Sequence, residues 1–180
     1  KYGFYGWTDA AFTPKYLMQP VGKGAELMFY ETDITDLSYA TIDFSKATSL
    51  YQTFSASTAS ECKIEALPPT IDLSSCTTLS LAFRYVKAET IHLVNLQPSC
   101  VFDRTFNSCS FLVNLIIDGT IGSNGLVIDS AYCPALSSAS IDNILDKLED
   151  KSSDTTGPTW KVTLGGNINK ASASKIADAE

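Results

Sequence analysis

Histidine is the scarcest of the side chains that could do chemistry in this chain, because the 180 residues contain one, His92. A serine or cysteine hydrolase needs a base beside its nucleophile, and histidine is the usual base. His92 stands between Ile91 and Leu93, and this alternation predicts a strand with the two apolar residues inward and the imidazole outward. We interpret His92 as a solvent-facing strand residue and predict that the protein is not an enzyme.

Two aspartates occupy the same place in similar triplets, Ile42-Asp43-Phe44 and Ile71-Asp72-Leu73. If the strands stack in register, an outward column forms that is the candidate binding face, made of Asp43, Asp72, His92 and Ile116. The column could coordinate calcium or hydrogen-bond a sugar. Calcium prefers roughly six to eight oxygen ligands, so we favour the alternative, a solvated polar face, and predict no metal.

Other motifs that could serve a cofactor or a catalytic site are incomplete. Gly22-Lys-Gly24 lacks the third glycine and the preceding strand of a dinucleotide fingerprint, and no phosphate loop is present. The chain has 20 acidic residues, but no pair is flanked by a motif that forms a pocket, which argues against a glycosidase. We predict no cofactor.

The five cysteines are an odd number and contain no Cys-x-x-Cys pair. This argues against a disulfide framework and against a zinc site. We interpret them as small buried apolar residues, and we expect Cys76, Cys109 and Cys133 to share one repeat position.

Charge and hydropathy exclude two classes of partner. The formal net charge is -7 and the isoelectric point is near 4.6, so the long-range field repels nucleic acid. The longest apolar stretch, residues 111–117, is far shorter than the roughly 20 residues that span a bilayer, so membrane insertion is not expected.

An internal repeat organises the chain. Residues 41–54 and 70–83 nearly superimpose, and every apolar anchor of the first stretch has a counterpart at the same place in the second. Looser copies follow, and recurring aromatic anchors mark them: Phe29, Phe54, Phe83, Phe106 and Tyr132. We expect these anchors to line up as neighbours in one core, so that truncating Phe83 costs about 3–5 kcal/mol.

A second series places a small residue three positions before a leucine. Its members are Ala47 and Leu50, Cys76 and Leu79, Cys109 and Leu112, and Cys133 and Leu136. The irregular spacing of both series lies within the roughly 20 to 29 residues of leucine-rich repeats, each of which must stack on a neighbour to bury its apolar face. The expected fold is a leucine-rich-repeat solenoid of the α/β class, with short stacked strands in a parallel sheet and irregular returns.

The two ends differ from the middle, as terminal repeats of solenoids do. An aromatic cluster, Tyr2, Phe4, Tyr5 and Trp7, predicts an N-terminal cap, although such rings also bind sugars or protein partners. At the other end, Ile141, Ile144, Leu145 and Leu148 have helical spacing, with Ser140 as the expected N-cap, Asp142 in the first turn, and an end near Ser152-Ser153 and Gly157-Pro158. A strand from Trp160 to Leu164 and a short helix near Ser172 to Ala179 should follow.

We therefore expect a single domain over residues 1–180. Residues 1–28 form its N-terminal cap, residues 29–136 its repeats and residues 137–180 its C-terminal cap, and the chain is expected to be part of a longer protein.

The pattern Phe106-x-x-Cys109-x-x-Leu112-x-x-Leu115-x-Ile117 resembles the BspA-like leucine-rich repeat of bacterial surface proteins. The segment Gly119-Thr-Ile-Gly-Ser-Asn-Gly125, followed by 136–148 and 162–165, is similar to the closing part of such proteins in gut Firmicutes and their phages. The opening, Gly6-Trp-Thr-Asp9 with Pro14-Lys-Tyr16, resembles their entry segment. The short interval between Ile117 and Ile128 departs from the family and leaves the number of coils open.

The resemblance implies attachment and carries no catalytic residues. Our first hypothesis for the function is a non-catalytic surface or secreted adhesion module that recognises a protein or glycan on a host or neighbouring cell. Its expected location is extracellular or at the cell surface. A second is a structural or receptor-contacting domain of a phage particle, located in the virion. A third is a glycan-acting enzyme, which would need an acidic pair in a cleft.

Overall fold

The computed structural model describes residues 3–8, 17–122, 125–148 and 162–175. These residues form a mixed α/β structure with little regular secondary structure and a three-stranded parallel sheet in the order β1-β2-β3. The strands are β1 (Ile71–Asp72), β2 (Thr90–Leu96) and β3 (Asn114–Gly119). Helix α1 (Ser138–Asp146) and a 3-10 helix (Gly165–Lys170) follow, and residues 173–175 are also helical.

The strands form where apolar residues alternate with polar ones. In β2 the side chains of Ile91 and Leu93 are buried, and in β3 those of Leu115 and Ile117 are buried. Ile91 pairs with Leu115 and Leu93 with Ile117, so one face of the sheet is part of the core. The expected inward and outward alternation is confirmed.

Away from the sheet, successive stretches of the chain run parallel to one another and are joined by backbone hydrogen bonds. Each such stretch is called a segment. The amides of 27, 29 and 31 donate to the carbonyls of 51, 53 and 55, and the amides of 50, 52 and 54 donate to those of 78, 80 and 82. The amides of 79, 81, 83 and 85 donate in turn to the carbonyls of 101, 103, 105 and 107. These parallel ladders join each segment to the next although the segments differ in length.

A column of stacked phenylalanines fills the interior beside these ladders. The ring centroids of Phe29 and Phe54 are 5.7 Å apart, those of Phe54 and Phe83 are 5.4 Å apart, and those of Phe83 and Phe106 are 5.6 Å apart, with planes within 9° of parallel. The expected neighbours are therefore confirmed. Phe4 extends the column, since its ring stacks on Phe29 at 5.3 Å.

Tyr132 does not continue this column, and the prediction that it is an anchor is wrong. Its side chain is 39% exposed, whereas Cys133, the next residue, is buried. Cys133 is the equivalent of Cys109, which stands three residues after Phe106, so the next place in the column falls three residues before Cys133 and not at Tyr132.

The stretch that contains Ile117 and Ile128 is one segment. The Val113 amide donates to the Glu89 carbonyl, and the Ser137 amide donates to the Val113 carbonyl, so equal steps along the chain lead from Glu89 to Val113 and from Val113 to Ser137. Ile117 lies in the sheet, while Ile128 is buried elsewhere in the same segment. The equal steps on both sides of Val113 leave no room for an extra coil.

The cysteines occupy two structural positions instead of the one expected. The Cys109 and Cys133 thiols donate to the carbonyls of Phe83 and Phe106, whereas the Cys76 thiol donates to Thr78 within its own segment and contacts Cys100. The prediction that Cys76 shares a position with Cys109 and Cys133 is wrong. All five thiols are free and buried, as expected.

Helix α1 differs from its prediction at both ends. The N-cap is Ser137, whose hydroxyl accepts from the Ser140 amide at 3.3 Å, and the helix ends at Asp146, before the predicted stop. Asp142 lies beyond the first turn and accepts from the Ser172 amide at 2.8 Å. Ser140 is unavailable as a cap because its buried hydroxyl bonds to β3.

Two polar side chains of α1 satisfy the free edge of β3. The Ser140 hydroxyl accepts from the Leu115 amide at 2.9 Å and donates to the Val113 carbonyl at 3.0 Å. The Asn143 amide group accepts from the Ile117 amide at 2.9 Å and donates to the Ile117 carbonyl at 3.4 Å. The helix thus takes the place of a further strand and covers groups that would otherwise pair with another chain.

Several expectations fall partly outside the described residues. Of the strand expected from Trp160 to Leu164, Thr163 forms a parallel bridge with Val127. Residues Tyr2, Trp160 and 149–159 lie outside the described residues, as does the predicted last helix beyond residue 175. The 3-10 helix (Gly165–Lys170) was not predicted.

Candidate functional site

The two aspartates of the predicted column close turns. Oδ1 of Asp43 accepts from the Ser45 amide at 2.9 Å, and Oδ1 of Asp72 accepts from the Ser74 amide at 2.9 Å. Hydrogen bonds from the Ser45 side chain and then from the Ser45 amide lower the pKa of Asp43. Burial acts to raise the pKa of Asp72, but its bonds with Ser74 and Asn95 lower it overall. The Asp-x-Ser motif is therefore a local turn former, which occupies the oxygen atoms that a ligand would need.

The predicted column is broken between Asp72 and His92. Asp72 pairs with Val94, whereas His92 pairs with Ile116. The single column is therefore wrong at this step, since β1 lies two residues further along β2 than the matching triplets suggested. A shift of two residues keeps the same face inward, so the alternating pattern fits either register.

His92 and Ile116 lie side by side on the outer face of the sheet. Nε2 of His92 is 3.0 Å from Oδ2 of Asp118, and Ile116 is 37% exposed. The contact with Asp118 fixes the orientation of the imidazole ring. The structure therefore brings His92 and Ile116 together, and it places Asp43 close enough to Asp72 for the two charges to interact, but the two pairs do not form one column.

A groove of about 620 Å³ crosses neighbouring segments at the N-terminal end of β2. It is lined by residues 87–90 and His92, by residues 65–69, and by Ser38 and Phe111. Backbone hydrogen bonds between successive segments fix the residues that line the groove. The amides of Glu65, Lys87 and Val113 donate to the carbonyls of Thr35, Ile64 and Glu89, respectively, at 2.8–3.0 Å. The lining side chains that could contact a ligand are Glu65, Pro69, Lys87, Glu89, His92 and Phe111. Its size is in the range of small-molecule and oligomer sites.

Phe111 is the most prominent apolar residue of the groove, with 56% of its side chain exposed. Leu112, the next residue, is fully buried in the core. Phe111 lies in a turn that the Leu112 amide closes by donating to the Cys109 carbonyl at 3.2 Å, and this turn leaves Leu112 inward and Phe111 outward. The adjacency of two large apolar residues, of which Leu112 was already assigned inward, is the signal that could have identified Phe111.

The groove offers an aromatic face, carboxylate acceptors and a cationic donor. Exposed Glu65 and Glu89 can accept hydrogen bonds, Lys87 can donate, and Phe111 can pack against an apolar face. Within the described residues, no group of three or more His, Cys, Asp or Glu side chains is arranged to hold a metal ion. The arrangement suits recognition of a ligand that has both hydroxyl groups and an apolar surface.

Comparisons with protein-family models, with curated proteins and with solved structures found no match to this chain. Among the described residues, no helix is both long enough and apolar enough to cross a membrane.

Proposed function

We propose that the chain is a leucine-rich-repeat solenoid of the BspA-like type that acts as a non-catalytic binding module at a cell surface or in a secreted protein. The parallel ladders and the stacked phenylalanines support the solenoid, because each segment contacts the segment before it and the segment after it. The resemblance of the 106–117 motif to surface proteins supports the setting.

The observation that carries the binding function is the groove with exposed Phe111 at its edge. Phe111 is exposed within the groove, where its ring can stack against an apolar face of a ligand while the neighbouring polar groups bond to it. We favour a glycan as the ligand, since a sugar ring offers an apolar face for Phe111 and hydroxyl groups for Glu65, Glu89 and Lys87. A protein ligand is the alternative outcome of the test.

The test is a screen of the purified chain against immobilised glycans and surface extracts, followed by titration of the best ligand with variants. Phe111→Ala should weaken binding about tenfold or more, which corresponds to about 1.4 kcal/mol. Tyr132→Ala is the matched control, because Tyr132 is also an exposed aromatic but does not line the groove. Equal effects of both substitutions would contradict the groove as the site.

A glycan-acting enzyme is the second candidate, because Glu65 and Glu89 share the groove. A general acid needs a carboxyl whose surroundings keep it protonated, and both side chains are exposed. Incubation with the bound glycan should therefore release no product. Product formation that disappears in Glu89→Gln would establish the enzyme instead.

A further inference from the structure

The five buried cysteines sort into two contacting pairs and one remaining thiol. Cys76 lies beside Cys100, and Cys109 lies beside Cys133. Cys62 is near Cys109, but its own thiol donates to the Phe54 carbonyl at 3.8 Å. The sequence has no short spacing that announces these pairs, because the members of each pair belong to successive segments.

The backbone places the first pair on two parallel stretches of chain, with Cys100 opposite Thr77 and one residue out of register with Cys76. The Val101 amide donates to the Thr77 carbonyl at 3.0 Å, and Thr78 and Val101 form a parallel bridge. Cys76 and Cys100 are next to these residues in sequence, and both side chains are buried. Adjacent strands are about 4.8 Å apart, and disulfides join Cα atoms about 4.4–6.8 Å apart.

The second pair lies beside the phenylalanine column. The Cys109 thiol donates to the Phe83 carbonyl at 3.0 Å, and the Cys133 thiol donates to the Phe106 carbonyl at 3.3 Å. Because Phe83 and Phe106 are stacked neighbours, the two thiols occupy equivalent places in successive segments.

We propose that Cys76–Cys100 and Cys109–Cys133 are two disulfide sites that cross-link successive segments when the chain folds under oxidising conditions, and that Cys62 remains a free thiol. The proposal rests on the proposed extracellular setting only for the source of oxidant. Each bond would covalently join two successive segments.

The chemistry is thiol–disulfide exchange with a small-molecule disulfide such as oxidised glutathione. For each site, two thiols lose two protons and two electrons, the S–S bond of one oxidant molecule breaks, and two molecules of the reduced thiol are released. Burial raises the pKa of Cys109, so this thiol is rarely ionised in the folded, reduced protein. The contact with Cys100 instead lowers the pKa of Cys76. The Cys109–Cys133 bond therefore forms most readily during folding, before Cys109 is buried.

The experiment is refolding of the denatured, reduced chain in a glutathione redox buffer, with a parallel sample kept in dithiothreitol. Intact mass and non-reducing peptide maps should show two intramolecular bonds, Cys76–Cys100 and Cys109–Cys133, and one alkylatable thiol, Cys62. The melting temperature should rise by about 5–10 °C per bond relative to the reduced sample.

Variants assign each bond separately. Cys100→Ala should lose only the first bond, Cys133→Ala only the second, and Cys62→Ala neither. Five alkylatable thiols after oxidative refolding would overturn the proposal, and so would a Cys62–Cys109 bond or bonds between chains. Glycan titration of the oxidised and reduced samples separates the two proposals, because failure of binding leaves the disulfide map unchanged.

Discussion

The same segments build two very different corners of the molecule. At the phenylalanine corner (Phe29, Phe54, Phe83 and Phe106) every ring is fully buried and stacked on the next. At the groove corner (Glu65, Lys87, Glu89 and Phe111) the backbone is also hydrogen-bonded between segments, but the side chains line an open groove.

The difference teaches that one backbone arrangement can serve stability at one corner and recognition at another. Neighbouring segments contribute to both corners, so a ligand in the groove would contact a surface whose rigidity comes from the buried column. Substitutions at the two corners should therefore separate the free energy of unfolding from ligand affinity.

The largest expected difference is between two phenylalanines. Phe83→Ala removes a fully buried ring from the middle of the column and should lower the free energy of unfolding by about 3–5 kcal/mol. Phe111→Ala removes an exposed ring and should change it by less than about 0.5 kcal/mol. Urea denaturation measures both. A loss of similar size for Phe111 would mean that the groove corner stabilises the fold and is not a free surface.

A smaller difference is expected between two threonines. The Thr105 hydroxyl is buried and donates to the Leu79 carbonyl at 3.0 Å, so it joins successive segments. Thr105→Val keeps the shape, leaves that carbonyl without its side-chain donor, and should cost about 1 kcal/mol. Thr90→Val in the groove should be nearly neutral, because the hydrogen bond that its hydroxyl accepts from the Asn114 side chain at 3.2 Å is exposed to water. If both substitutions lowered the free energy of unfolding equally, hydrogen bonds would stabilise the two corners to the same extent, which would contradict the proposed difference.

The smallest effect concerns Glu31, beside the phenylalanine corner. Its hydrogen bond from Ser57 lowers its pKa, so it contributes stability above its ordinary pKa of about 4.3 that is lost as the pH falls through the folded-state value. Ser57→Ala should cost less than about 1 kcal/mol at pH 7, since solvent screens the carboxylate.

Thermal unfolding of wild type and Ser57→Ala between pH 7 and pH 3 tests this effect. The difference in stability should shrink as the pH falls. A difference that stays constant with pH would assign the effect of Ser57 to its bond with Tyr30 alone.

The sequence predicted the phenylalanine corner because four successive segments each place one phenylalanine there, and because residues 41–54 and 70–83 match position by position around it. It did not predict the register of β1 on β2, because Ile91 and Leu93 are equally good partners for Ile71 and a shift of two residues buries the same face. For this reason the predicted binding face of Asp43, Asp72, His92 and Ile116 is not one column, because it is interrupted between Asp72 and His92.

The positions of the cysteines and the presence of the groove could not be predicted from the sequence either. Cys76-x-x-Leu79 and Cys109-x-x-Leu112 have the same spacing because both occur at tight turns, where the cysteine amide donates to the carbonyl three residues earlier. Local spacing therefore could not show that they lie at different positions. The groove draws its lining from distant stretches of the chain, so Glu65, Glu89 and Phe111 meet through the stacking of segments.

Native-state hydrogen exchange of the backbone amides of Phe29, Phe54 and Phe83 tests the central claim most directly. Each of these amides donates to the following segment, at 2.8–3.1 Å. If the segments stack as one cooperative column, the three amides should exchange only through global unfolding, with equal free energies of opening. Rapid exchange at any of the three, while the others stay protected, would contradict the stacked arrangement on which the proposed solenoid and its groove depend.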